Sequence, residues 1–323
     1  SGTSNGRVMR GYYPVILEAT QIIIVLLLAP LFAGWIRVFK CWTQGRASAG
    51  LFQPYRDIAK LFIKELVLAE NASWIFRFAP YMVFGSTLVA GALIPTISAG
   101  LPFTLAADII ALAAVFAIGR FFTALAGMDT GTAFGGLGSS REMFVATMAE
   151  PALLMSIFTV SLVSGSTSLS GIASFLVQAG FILRPSLAFA LLAFILIAVA
   201  ETGRIPVDNP STHLELTMTH EAMLLEYSGR HLALMEWAKE MKLFLFSCLG
   251  IVAFFPWGMS MGNGIAALPL AAGVFIVKLA FIGAAVVLIE TGLSKMRLFR
   301  IPEFLGSAFI FATLGMLSFF MLE

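Results

Sequence analysis

Eight apolar runs, each about long enough to cross a bilayer, dominate the sequence and leave little choice of fold. A spanning helix needs about 20 mainly apolar residues, because the hydrocarbon is ~30 Å thick and each residue rises ~1.5 Å. The runs lie near Val15–Ile36, Trp74–Ile97, Leu105–Leu125, Phe144–Val163, Phe175–Ala200, Leu243–Met261, Leu268–Glu290 and Pro302–Leu322. Lipid offers the backbone no hydrogen-bond partner, so such runs fold as helices, which satisfy their own donors and acceptors. The expected fold is all-α: a single integral-membrane domain over residues 1–323 with about eight transmembrane helices. With 59% of residues hydrophobic and 12% charged, no single water-soluble core would hide the apolar side chains. The first run follows Arg7 and Arg10 but outlasts a signal peptide's apolar region of about 7–15 residues, and reads as a retained helix.

Loop charge sets the expected orientation, because Lys and Arg accumulate on the cytoplasmic side. Connections one, three, five and seven carry Arg37, Lys40, Arg46, Arg56, Lys60, Lys64, Arg141, Arg204, Arg230, Lys239, Lys242, Lys295, Arg297 and Arg300, whereas the even connections offer only Arg184. Cytoplasmic loops are therefore expected at about 37–73, 126–143, 201–242 and 291–301, with both termini outside. In the first loop Tyr55, Ile58, Leu61, Phe62 and Leu66 alternate with Arg56, Lys60, Lys64 and Glu65 at near-helical spacing, the pattern of an amphipathic interfacial helix. A net charge of +2 gives no nucleic-acid footprint. Two distant cysteines, Cys41 and Cys248, are too few for an iron–sulfur cluster or a structural zinc, so no cofactor is expected in this chain.

A charge at the bilayer centre costs roughly 2.5–3.5 kcal/mol on insertion scales. Glu18, Asp108, Arg120, Glu150, Glu201, Lys278 and Glu290 nevertheless fall within the runs or at their ends. Those near ends can reach interfacial water. Glu150 lies inside run four and precedes Pro151, which removes a helix hydrogen bond and frees a carbonyl near the carboxyl group. It reads either as a proton-holding site or as an ion-pair partner of Arg120 or Lys278. Connection five holds all three histidines and is the polar centre of the chain. Glu201 and Arg204 can lie one helical turn apart there, and Pro206 and Pro210 force an irregular course through Asp208. Beyond it Glu215, Thr219, Ala222 and Glu226 share a helical face, with His220 and Glu221 in reach. That spacing fits a chain of titrating carboxylates or, equally, a solvated helix face.

Other chemistries fall away. His220-Glu221 begins like a zinc-protease helix, but Leu224 fills the second ligand position. The glycine-rich run Gly131–Ser140 lacks the Lys-Ser/Thr ending of a phosphate loop. It is expected to turn tightly, leaving Ser139, Ser140 and Arg141 to meet a partner or start a helix. No internal repeat of the kind common in secondary transporters is found.

Ala200-Glu-Thr-Gly-Arg-Ile-Pro-Val-Asp-Asn-Pro, followed by Glu215 and by Glu226-Tyr-Ser-Gly-Arg, resembles the cytoplasmic loop of the complex I membrane subunit that joins the two arms. The longer stretch Thr212-His-Leu-Glu-Leu-Thr-Met-Thr-His-Glu-Ala-Met-Leu-Leu-Glu-Tyr-Ser-Gly-Arg-His-Leu-Ala-Leu, with Gln53-Pro-Tyr-Arg-Asp-Ile-Ala-Lys-Leu, is similar to membrane subunits of group 4 NiFe hydrogenases, the branch of hydrogenase-4 component C and formate hydrogenlyase subunit 4. Gly138-Ser-Ser-Arg-Glu and Ala149-Glu-Pro fall at comparable elements, and the resemblance runs from about Tyr12 to the C-terminus.

The resemblance implies a non-catalytic anchor and coupling subunit of an oxidoreductase complex in a prokaryotic inner membrane. Implied partners are the NiFe hydrogenase large subunit, an iron–sulfur small subunit, a ferredoxin-like subunit and antiporter-like membrane subunits. The NiFe centre and the iron–sulfur clusters reside in those partners. Carried onto this sequence, the resemblance makes Glu150, Glu201, Asp208, Glu215, Glu221 and Glu226 the proton relay. It makes Arg46, Arg56, Asp57, Lys60, Arg141, Arg204 and Arg230 the docking face, with no catalytic residue and no metal ligand. One departure stands out: family members commonly carry Arg-Arg-Gly-Pro or Arg-x-Gly-Pro where this chain reads Gln44-Gly-Arg-Ala-Ser-Ala-Gly50. The alternative is the quinone-site membrane subunit of a complex I-type NADH:quinone oxidoreductase, although its quinone-pocket residues are not recognisable.

Overall fold

A computed structural model describes residues 3–69, 71–96, 108–180, 184–205, 207–208, 220–259, 268–292 and 300–322, with side chains from residue 18 onward. Among the described residues the regular elements are helices: α1 (Thr3–Thr43), α2 (Gln53–Ile63), α3 (Trp74–Leu93), α4 (Ile109–Asp129), α5 (Ala133–Ser164), α6 (Leu169–Ala179), α7 (Pro185–Glu201), α8 (His220–Leu224), α9 (Gly229–Phe254), α10 (Leu268–Gly292) and α11 (Ile301–Leu322). Among the described residues six stretches are long and apolar enough to span a bilayer: Glu18–Thr43, α3, α4, α5, Pro269–Gly292 and α11. Helix α7 is apolar up to its closing Glu201, apart from Ser186, but has only 17 residues, and α9 carries its charges in its first half. The chain is a polytopic all-α membrane protein.

Several boundaries differ from the apolar runs, for local reasons. Helix α5 starts at Ala133, well before Phe144, because the Thr132 side chain accepts the Gly135 N–H at 3.2 Å and caps it there. The fifth run divides into α6 and α7: Gly180 takes φ +73° after α6, and Arg184, extended, precedes the helix-starting Pro185. Helix α9 begins at Gly229 and stops at Phe254, one residue before Phe255, whose place ahead of Pro256 disfavours helical backbone. The helical face expected to run through Glu226 does not: α8 ends at Leu224 in a turn closed by the Tyr227 N–H on the Leu224 carbonyl at 3.0 Å.

The amphipathic expectation is met by α2, which buries Pro54 and Ile58 and exposes Arg56, Lys60, Phe62 and Ile63. It lies against α9 and α1. Helix α9 is the axis of the fold. Every residue from Leu243 to Phe254 is buried, as expected of a helix apolar on all sides, and it touches α1, α2, α3, α6 and α10. A second layer packs α11 on α7 and α5, with α5 returning against α4. Tyr227 fastens the end of the α8 connection to α3. Its ring stacks on Phe76 at a centroid distance of 4.0 Å, and its hydroxyl donates to the Phe76 carbonyl at 2.9 Å.

The glycine-rich run does turn tightly and start a helix, but Ser139 points inward. Gly131 takes φ +66° and reverses the chain. Ser139 Oγ, fully buried, donates to the Ala124 carbonyl at 2.9 Å and to the Gly135 carbonyl at 2.8 Å. The α4–α5 approach is close enough that a Cβ on Gly135 would strike the Gly127 carbonyl oxygen, and one on Gly127 would stand 2.5 Å from Ser139 Oγ. Gly136 next door has open space. Gly135→Val should therefore cost about 1–3 kcal/mol by overpacking, read as a lower thermal midpoint in detergent. Gly136→Ala should leave the midpoint unchanged; equal effects of the two would contradict the packing.

Candidate functional site

The polar chemistry concentrates where α4, α5, α7 and α9 converge. Arg120 of α4 is 7% exposed and cannot remain charged in an apolar surround without a counter-charge. Its Nη1 pairs with Glu201 at the end of α7, and its Nη2 pairs with Glu150 of α5. Lys242 of α9 reaches the other Glu201 oxygen at 3.0 Å. The result is a sequence of alternating signs, Glu150, Arg120, Glu201, Lys242, that crosses four helices. Glu201 is almost sealed, its side chain 2% exposed, whereas that of Glu150 is 41% exposed. A cavity of about 40 Å³ adjoins the cluster, lined by Arg120, Thr123, Glu142, His220, Lys239 and Lys242 among others.

A larger polar chamber of about 550 Å³ opens between α1, the end of α7, α8, α9 and α10. Ion pairs line it. Glu290 accepts from Arg204 Nη1 at 2.6 Å and from Lys40 Nζ at 2.7 Å. Arg37 bridges Glu240 at 3.2 Å and Asp57 at 3.4 Å, and Lys239 pairs with Glu221. Asp208 accepts the His220 N–H at 3.1 Å, which fixes the start of α8. A third cavity, apolar and about 240 Å³, lies between α7, α9 and α10 and meets the chamber at Thr202, Arg204 and Leu243. Among the described residues no group of three or more His, Cys, Asp or Glu side chains converges as metal ligands, and Cys41 and Cys248 are free thiols.

The architecture and sequence have clear relatives. Residues 17–321 match the family model described as NADH dehydrogenase. The chain belongs to the NADH dehydrogenase family. Within it, formate hydrogenlyase subunit 4 of Escherichia coli (strain K12) is 32% identical over 95% of this chain and 97% of its own. Hydrogenase-4 component C of the same strain is 33% identical over 94% and 95%. An NADH-quinone oxidoreductase subunit of Paraburkholderia xenovorans (strain LB400) is 27% identical over 72% and 69%. A chain of the membrane-bound sulfane sulfur reductase, an archaeal respiratory membrane complex, shares the fold at a TM-score of 0.78 and 19% identity, covering 94% of this chain and 99% of that one. This NADH dehydrogenase family member is thus a membrane subunit of the complex I-like hydrogenase or NADH-quinone oxidoreductase type, and its relatives are parts of multisubunit complexes.

In this member of the family the expected relay residues are partly brought together. Glu150 and Glu201 share Arg120. Asp208 and Glu221 line the chamber. Glu226 lies beyond the end of α8, and Glu215 falls outside the described residues. Of the expected docking residues, Arg46, Arg56, Lys60 and Arg230 are exposed. Arg204 turns inward to Glu290, Asp57 faces Arg37 and Gln53, and Arg141 is partly buried. Lys278 does not meet Glu150; it donates to the Phe255 carbonyl at 2.6 Å and to the Trp257 carbonyl just past the end of α9.

Sequence reasoning missed Glu142, Glu236 and Glu240, and treated Lys239 and Lys242 only as loop charges. For the four residues of α9, Glu236, Lys239, Glu240 and Lys242, the available signal was the uninterrupted stretch from Gly229, free of Pro, that makes them one helix with the apolar run that follows; Glu142, in α5, had no comparable signal.

Arg120→Met leaves Glu201 with one cation and Glu150 with none, so it should cost about 3–5 kcal/mol, the range for breaking a buried pair from one side. Glu201→Gln added to it should recover part of the lost thermal midpoint; no recovery would deny the coupling. Burial, with Lys239 and Lys242 nearby, lowers His220 to about 3. An unfolded His takes its proton near ~6.5, so between these values the unfolded chain binds the extra proton and stability falls as pH is lowered. His220→Gln should flatten the decline in thermal midpoint from pH 7 to pH 4; an unchanged slope would show that His220 contributes nothing to it.

Proposed function

We propose that this chain is the membrane anchor and coupling subunit of a complex I-like group 4 NiFe hydrogenase of the formate hydrogenlyase type. It docks a hydrophilic redox arm on its cytoplasmic face and carries protons or sodium ions along its internal carboxylates. The observation that carries the reading is the alternating line from Glu150 through Arg120 and Glu201 to Lys242. Alternation keeps every charge in the line paired, and the cations beside a carboxylate oppose its protonation, so a proton loads there only as a cation swings away to the next carboxylate. A proton on Glu201 frees Arg120 to lean on Glu150, and the reverse movement resets the line.

The chamber beyond it is lined by Glu221, Glu236 and Glu240 together with the exposed Arg46, which supports the reading that a redox partner changing charge there alters their field. Electron transfer belongs to partners: the NiFe large subunit with its NiFe centre, the small and ferredoxin-like subunits with iron–sulfur clusters, and antiporter-like chains alongside in the membrane. The setting is a prokaryotic inner membrane, and the positive charge of the odd connections supports both termini outside, with Arg7 and Arg10 as the weaker opposing signal.

One observation favours the second reading, a quinone-site subunit of a complex I-type oxidoreductase. The apolar cavity meets the polar chamber at Thr202 and Arg204, a shape suited to an apolar tail and a polar head. Extraction of stoichiometric quinone from the purified complex would decide for it.

In the assembled complex, Glu150→Gln and Glu201→Gln should lower ion translocation by about a hundredfold or more, as expected for removing a positioned proton-transfer group. Wild-type translocation in both variants, with assembly intact, would end the coupling role and leave docking alone.

A further inference from the structure

The small cavity beside Arg120 and the large polar chamber share a wall. His220 and Lys239 are the titratable side chains that line both. About 40 Å³ takes one or two waters, and Arg120, Ser86, Thr87 and Thr123 supply part of its polar lining. Glu142 and Lys242 complete the polar lining on that side.

The two wall residues differ in what they can do. An ammonium has three donors and no acceptor, and Lys239 is already held by Glu221. A neutral imidazole has one protonated ring nitrogen and one bare one, so it can receive and release a proton at once. His220 is fixed at the mouth of α8 by its N–H to Asp208, and α8 is packed on α5 and α4. The neighbouring Lys239 and Lys242 oppose a lasting positive charge on the ring, which suits transit and not storage.

We infer that His220 passes protons through the wall between the polar chamber and the Arg120 cavity. A proton from chamber water bonds to the bare ring nitrogen while the N–H on the other nitrogen breaks, its proton going to cavity water and on to a Glu142 or Glu201 carboxylate. The ring is neutral before and after, and a half-turn about its side-chain bonds brings the newly protonated nitrogen to the cavity and the bare one to the chamber, ready for the next transfer. The inference rests on the ion-translocation reading above and names the residue that admits the proton.

The test uses the assembled complex in sodium-free proteoliposomes, turning over with its own electron donor, with proton movement followed by a pH-sensitive dye. His220→Phe should slow proton translocation about a hundredfold, the low end of what a positioned proton-transfer group supplies. His220→Ala should be similarly slow and regain activity on addition of imidazole, which a purely structural role would not produce. If His220→Phe does not assemble, His220→Gln is read by the same criterion. Wild-type rates in the substituted complex, failure of imidazole to restore His220→Ala, or a wild-type complex that moves no ion until sodium is added would each overturn the role of His220. Glu201→Gln run in parallel separates the two claims: if it too keeps the wild-type rate, the translocation reading fails; if it alone loses translocation, only His220 is excluded.

Discussion

A guanidinium cannot stay charged within a hydrocarbon slab unless its counter-charges are built in, and Arg120 obliges the helices around it to meet. Its two terminal nitrogens are claimed by carboxylates from different helices, and one of those carboxylates also binds Lys242. Helices α4, α5, α7 and α9 are therefore tied at one level by charge as well as by apolar contact. A buried ion pair of this kind adds little net stability over a well-packed apolar replacement. What it imposes is register: sliding α5 or α7 by one turn, about 5.4 Å, would separate Arg120 from its carboxylates and leave charges unpaired.

The rest of the polar interior follows the same rule at decreasing stringency. Glu290, with a side chain 5% exposed, has two cations, Arg204 and Lys40. Glu240, also buried, has Arg37, whose own side chain is half exposed and is shared with Asp57. Pairs at that outer edge are screened by water and contribute little individually. The gradient runs from fully committed ion pairs beside the apolar core to loosely held ones around the chamber, so the chamber side is where charges can rearrange at low cost. Exposed Arg46 is among the residues lining the chamber, so this adjustable end reaches the basic first loop.

How far this was legible in the sequence depends on what each signal senses. Runs of apolar residues sense lipid, and they located the long helices, yet α9 begins much earlier than its apolar run because its first half packs on protein and charge partners, and α5 does so because Thr132 caps it ahead of a mixed stretch. The break between α6 and α7 was hidden inside one continuous apolar stretch, where Gly180 and Pro185 were the only marks of it. Glu150, Arg120 and Glu201 were visible because a charge inside an apolar run is conspicuous. Glu142 and Lys242 were not: they sit in locally polar sequence, and the contact of Lys242 with Glu201 joins two helices across an intervening connection. Pairing of that kind is a property of the tertiary fold, beyond the reach of helical spacing.

The two carboxylates on Arg120 are not equivalent, and charge counting shows why. If the contact to Glu150 is lost, Arg120 still faces Glu201, and the buried part of the cluster keeps two cations and one anion. If Glu201 is lost, Lys242 and Arg120 both lose a partner at once, and the ion pair left to Arg120 among the described residues is with Glu150, whose side chain is 41% exposed. Glu201 therefore acts as the hub that keeps α4, α7 and α9 in register. Glu150, bound through one oxygen, beside Pro151 and with surface to spare, is the end of the line where a charge can be exchanged without dismantling it. That exposed surface lies midway along a helix long and apolar enough to span, where an ionised group facing lipid would cost roughly 2.5–3.5 kcal/mol. The position of Glu150 makes physical sense only beside another polypeptide or a hydrated cleft, in keeping with relatives that are subunits of larger membrane complexes.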